Sequence, residues 1–290
     1  MFQSVKELIE ICEKENKKIY EVMIEQEISV TKLSKEEVYK NMERNLDTME
    51  KAIERGINGV TSTTGLTGMD AVLLQDYLES GKSLSGDLMI DAVSKAVATN
   101  EVNAAMGKIC ATPTAGSAGV APGVLFALKK RLNPSREDMI HFLFTTGAFG
   151  FVVANNASIS GAAGGCQAEV GSAAAMSAAA AVEMAGGTPQ QSAEAFAISL
   201  KNMLGLVCDP VAGLVEVPCV KRNAAGASNA IISADMALAG VTSRIPTDEV
   251  IEAMYKIGQT MPSALRETGR GGLAGTPTGE RLKQEIFGNS

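Results

Sequence analysis

Apolar residues near the N-terminus recur every three or four positions, at Leu8, Ile9 and Cys12 and again at Leu46, Met49 and Ile53. That period predicts two amphipathic helices, over 4–28 and 35–55. Ser4 with Glu7 and Ser34 with Glu37 have the capping-box spacing, and Gly56 supplies a stop. Charged residues crowd the polar faces, so residues 1–56 read as an N-terminal charged helical hairpin, either a solvated outer element or a docking arm for a partner. From residue 57 the chain turns to Gly, Ala, Ser and Thr. Helices are predicted at 68–80, 86–106, 118–132, 135–155, 167–185, 189–206, 222–240 and 247–260. Glycine- and proline-rich punctuators such as "TSTTGLTG", "ATPTAGSAG", "SISGAAGG" and "TGRGGLAGTPTG" separate them. Strand-like alternation is nearly absent, and "GLVEVP" at 213–218 is the one short extended piece. The fold class is mainly α: a multi-helix domain over 57–290, with functional groups on glycine-rich interhelical loops.

Composition narrows this picture. Hydrophobic residues make up 46% of the chain but aromatics only 4%, with no Trp, which suits closely packed helices of small side chains. The net charge of −7 and the lack of a long basic block exclude a nucleic-acid partner. The longest small-residue run, "GSAAAMSAAAAVEMAGG", is weakly hydrophobic and carries Glu183, so no membrane span is expected. The N-terminus lacks the apolar core of a signal peptide. A cytoplasmic protein with reduced thiols follows as the expectation.

No loop is a Walker A sequence, and none follows a strand, so nucleotide binding is not indicated. Small residues at helix N-termini expose N–H groups able to bind a carboxylate, although each loop taken singly reads equally as a tight turn. Of the five cysteines, Cys12 sits on an apolar helix face and Cys110 reads as a small buried residue. Cys166, Cys208 and Cys219 have the spacing C-x41-C-x10-C, which matches neither zinc-finger nor ferredoxin patterns. Spacing alone leaves both metal ligation and plain burial open. Context favours ligation: Pro210, Gly213 and Pro218 fold 208–219 into a loop. Gly164 and Gly165 place Cys166 at a helix start, where the dipole favours a thiolate. Three ligands would leave a coordination position open. The single histidine, His141, lies mid-helix and reads as a core residue rather than a ligand.

The strings "NEVNAAMGKICATPTAGSAGVAPGVL", "SISGAAGGCQAEVGSAAAMSAAA", "CDPVAGLVEVPCVKRN" and "RETGRGGLAGTPTG" together resemble the iron–sulfur-dependent L-serine dehydratases. The likeness is to the alpha chain of their two-subunit form and covers most of residues 57–275. It implies a helical catalytic domain and a [4Fe–4S] cluster held by Cys166, Cys208 and Cys219, while Cys12 and Cys110 match no ligand position. It also implies deaminating dehydration of L-serine to pyruvate and ammonia, with the iron that lacks a protein ligand acting as a Lewis acid on the hydroxyl. Candidates for anchoring the substrate are Ser62, Thr63, Thr64 and Gly65, then Lys108, Thr114, Gly116 and Ser117, and Asn223 and Arg270. Asn100 and Asn103 lie in the same motifs. Ordinary capping or backbone bracing is the competing reading for each.

The chain departs from its single-chain relatives in two ways. Those relatives carry a further domain with histidines, and here there is only His141, so the base, or part of the substrate cradle, is expected from a separate beta subunit. Some of them end in a cysteine that can approach the cluster, whereas this chain ends "IFGNS". Two other readings stand against the lyase. One is a non-catalytic metal- or cluster-binding assembly subunit. The other is a pyridoxal-phosphate enzyme, which needs a Schiff-base lysine and normally an α/β fold.

Overall fold

A computed structural model describes residues 1–288, and the last two positions of the "IFGNS" tail lie outside the described residues. The first predicted helix is in fact two, α1 (Val5–Glu15) and α2 (Ile19–Thr31). Asn16 adopts left-handed φ 52° and returns its N–H to Cys12, closing α1. The Glu21 carboxylate then accepts the Lys18 N–H at 2.8 Å and opens α2. The N-terminal segment is therefore three helices rather than a two-helix hairpin, the third being α3 (Lys35–Ile57), with the expected Ser34/Glu37 box complete. Leu8, Ile19 and Leu46 on these helices are fully buried.

The remaining helices are α4 (Asp70–Glu79), α5 (Asp87–Ala104), α6 (Val120–Leu132), α7 (Arg136–Asn156), the single turn α8 (Gly161–Gly164), α9 (Ser172–Met184), α10 (Pro189–Asn202), α11 (Cys219–Leu238), α12 (Thr247–Thr260) and α13 (Pro277–Phe287). A π turn, Gln167–Gly171, runs directly into α9. Every residue of α9 from Ser172 to Val182 is buried, and α6, α7, α10 and α11 surround it. Its alanines explain this position, because only small side chains let four neighbours approach one axis. Two larger core clusters meet along α7 and α9. One gathers α3, α5, α6 and α11, the other α1, α2, α10 and α12, with Phe149 stacked on Phe196 at 5.1 Å.

The expected extended piece at 213–218 is not a strand. Val211–Gly213 is a 3-10 turn in which Ala212 takes φ 57°, and no neighbouring segment pairs with the residues that follow. Among the described residues only isolated bridges occur, Thr61 with Gly68 and Cys208 with Arg266. No described helix is long and apolar enough to cross a membrane.

Candidate functional site

Three separate segments bring Cys166, Cys208 and Cys219 onto one cavity of about 210 Å³, shared with Thr114, Gly116, Glu169 and Glu267. Cys166 follows Gly165, whose φ of 77° and closeness to the Leu206 carbonyl suit only glycine. The next residue, Gln167, explains why this turn stays in place. Its N–H donates to Leu206 at 3.0 Å, its amide N–H groups reach Gly164 and Met254, and its carbonyl accepts from Gly205 at 2.9 Å. Cys208 is fixed by its own backbone: its N–H donates to Leu265 at 2.9 Å and its carbonyl accepts from Glu267 at 2.7 Å. Cys219 opens α11 directly after Pro218.

All three sulfurs are buried. Burial pushes the Cys166 thiol up to about 11, with Arg222 opposing and Glu169 adding to the rise. Burial, then Cys166 and Glu169, carry Cys219 to about 12. Cys208 is pushed higher still by burial and the same neighbours. Three thiolates would need a cation among them. Among the described residues no three His, Cys, Asp or Glu side chains converge on the position of one ion. Three thiols on one cavity are a donor set of the kind that could hold a metal ion or an iron–sulfur group. The cradle also needs its glycines. A Cβ at Gly161 would stand 2.5 Å from Glu169 Oε2 and 2.9 Å from Cys208 Sγ.

Two glutamates inside the cysteine motifs were not singled out from the sequence. Glu169 accepts the Thr114 hydroxyl at 2.7 Å and lies 3.8 Å from Cys208 Sγ. Burial raises its pKa, and the Thr114 bond opposes the rise. Glu216 is also buried and accepts the Thr64 hydroxyl at 2.8 and 2.9 Å. The signal that could have found both is a lone acid among apolar and small neighbours, in "CQAEVG" and "LVEVP".

The structure sorts the substrate candidates. Thr114 and Gly116 line the cavity beside the cysteines. Ser117 is fully buried and donates to the Thr112 carbonyl at 3.0 Å. Asn223, also fully buried, accepts from Gly119 N–H at 3.0 Å and donates to Gly116 at 2.8 Å and Cys219 at 2.9 Å, so its amide braces the loop. Asn100 and Asn103 donate to Gly116 and Ala115 of the same loop. Ser62, Thr63, Thr64 and Gly65 form a separate turn, closed by Gly65 N–H to Ser62, that reaches the cysteine segments through Glu216. Lys108 and Arg270 are exposed and do not line the cavity. His141 lies elsewhere, stacked on Tyr20 at 3.8 Å and bonded to the Tyr39 hydroxyl at 2.9 Å.

Fold and site together define an all-helical protein with a buried trithiol cavity, and comparison with known proteins narrows that class. A model of the family described as "Serine dehydratase alpha chain" matches residues 14–274, reaching further into the N-terminal segment than the motifs alone. The "Probable L-serine dehydratase, alpha chain" of Bacillus subtilis (strain 168) is 74% identical over 290 residues, covering 100% of this chain and 97% of the relative. The "L-serine dehydratase, alpha chain" of Peptoniphilus asaccharolyticus is 45% identical, covering 99% of each. "L-serine dehydratase TdcG" of Escherichia coli (strain K12) is 40% identical over 94% of this chain, which spans 61% of that longer protein. The chain belongs to the serine dehydratase alpha chain family.

Proposed function

We propose that this chain is the alpha subunit of an iron–sulfur L-serine dehydratase that converts L-serine to pyruvate and ammonia together with a separate beta subunit. The observation that carries the reading is the meeting of three buried cysteines, from three segments, on one glycine-lined cavity. The relatives' names support serine as the substrate. The E. coli relative's extra length, set against full coverage of the alpha chains, supports a second chain here.

Cys166, Cys208 and Cys219 would hold a [4Fe–4S] cluster, which supplies Lewis-acid assistance to departure of the serine hydroxyl through an iron without a protein ligand. Thr114 and Gly116 border the space where substrate sits. Asn223 and Ser117 hold that loop, and Glu169 fixes the Thr114 hydroxyl. Burial of the sulfurs keeps bulk water from them. The α-proton and β-hydroxyl leave as water, giving 2-aminoacrylate. Its imine tautomer takes up water and releases ammonia and pyruvate, so atoms balance without electron transfer. The base that takes the α-proton, or part of the substrate cradle, is assigned to the beta subunit, and His141 lies apart from the cavity.

Anaerobic loading with iron and sulfide, addition of the beta chain and assay of pyruvate from L-serine test this. A brown protein that turns over only with the beta chain supports the proposal. A colourless zinc protein, or a brown one inert with its partner, establishes the assembly-subunit reading instead. Full activity of the isolated chain rejects the separate base.

A further inference from the structure

Arg222 lies three residues beyond Cys219 on the first turn of α11, and its guanidinium turns back across the site. It donates from Nη1 to the Val207 carbonyl at 2.9 Å and faces the Cys166 thiol. The same nitrogen stands 2.7 Å from Asp209 Oδ1; that oxygen accepts no aligned hydrogen bond, so the contact is ionic. Asp209 is 3% exposed, and its other oxygen accepts the Leu273 N–H at 2.7 Å. Gly272, with φ 58°, permits that approach, since a Cβ there would fall 2.3 Å from Asp209 Oδ2.

One guanidinium therefore contacts the chain on both sides of Cys208, at Val207 and Asp209, while itself standing on the helix that Cys219 opens. Its carboxylate partner ties in the loop at 272–273. We propose that Arg222, paired with Asp209, is a positioning residue that fixes the Cys208 segment against the helix that Cys219 opens and tunes the charge of the group the cysteines hold. A buried ion pair adds little net stability, because desolvation cancels much of the attraction, so stability alone does not account for one placed here. The guanidinium meets two partners through Nη1, and its reach and planar shape are not reproduced by a lysine ammonium. The charge-tuning half rests on the proposed function, whereas the positioning half does not.

The test compares Arg222→Met, Arg222→Lys and Asp209→Asn in the full chain. In metal-free protein, iodoacetamide labelling is followed at each cysteine by mass spectrometry, with Cys12 as the reference in a separate core cluster. Arg222→Met should label Cys208 at least about tenfold faster with Cys12 unchanged, because an unpaired buried carboxylate beside it favours local opening. Arg222→Lys should recover part of the protection. Unchanged rates, or a rise shared equally by Cys12 in both Arg222→Met and Asp209→Asn, overturn the clamp. After anaerobic iron–sulfide loading, the midpoint potential should fall in Arg222→Met and rise in Asp209→Asn, since a nearby positive charge favours the added electron. Potentials that stay fixed or move together overturn the charge role. Loss of iron from Arg222→Met with rescue by Arg222→Lys supports the positioning role. Wild-type protein that takes up no iron refutes the proposed function, and the labelling rates then still decide the clamp.

Discussion

Glu169 and Cys208 meet directly over Gly161, with Oε2 and Sγ 3.8 Å apart and no room between them for a side chain. A methyl group at position 161 would strike both atoms, and neither is the free end of an exposed chain. Gly161→Ala should therefore displace Glu169 and Cys208 and lower iron retention. The global stability cost should stay near the 1–3 kcal/mol typical of overpacking. Iron per chain after anaerobic loading, measured beside the thermal midpoint, checks this. Wild-type iron content in the variant would show that the crowding does not reach the ligands.

The cysteines divide into two groups with different expected outcomes. Cys166→Ala, Cys208→Ala and Cys219→Ala should each abolish both brown colour and pyruvate formation, because each removes one of three donors on the cavity. Cys12 is buried instead in the apolar cluster where α1 packs on α2, α10 and α12. Cys12→Ala should keep its iron and lose on the order of 1 kcal/mol of packing. Absorbance and iron content of the four variants, prepared identically, give the readout.

How much of this was legible in the sequence depends on what each residue's neighbours are. The helix expected over 35–55 was legible because its cap and period agree. Gly56, read as its stop, lies inside the helix, which runs to Ile57; the glycine serves packing instead, since a Cβ there would lie 2.3 Å from the Ala98 carbonyl oxygen where α3 crosses α5. The break at Asn16 was missed because no Gly or Pro marks it, although the polar run "EKENKK" at 13–18 interrupts the apolar period there. Helix α13 was not predicted: it starts at the end of a string read as punctuation, where Thr276 and Pro277 are an N-cap and first-turn proline. The cysteine motifs pointed to one another only through loop-forming residues and family likeness. Arg222 carried no signal, because a basic residue one turn into a helix looks like surface, and its partners come from distant segments.

Asn223 carries a stability prediction independent of any cofactor. Its one side chain satisfies Gly119 N–H, Gly116 C=O and Cys219 C=O inside the fold. Asn223→Ala leaves these backbone groups without that partner and should cost roughly 1–3 kcal/mol. Asn223→Asp keeps the acceptor but loses both donated bonds, so it should not rescue the protein. Urea unfolding of the metal-free chains decides the point, and a variant within error of wild type would show that the loop is held by other means.

Glu183 supplies a pH dependence. It accepts the Ile19 N–H at 2.6 Å and the Thr145 hydroxyl, tying α9 to α2 and α7. Burial holds its pKa above the ordinary 4.5, with Thr145 and Ile19 opposing the rise. The folded state thus keeps this proton longer than the unfolded chain does. The group's stabilising contribution is complete below 4.5 and is lost as pH rises through the folded value. Glu183→Gln retains an acceptor for Ile19, and its amide can donate to the Thr145 oxygen, but it has nothing to ionise. The variant should therefore gain on wild type as pH is raised from about 4 to about 8. Urea midpoints across that range report the difference, in which contributions from the other buried acids, Glu101 and Glu169, cancel. A difference that stays flat with pH would mean that Glu183 ionises in the folded protein as readily as in the unfolded chain.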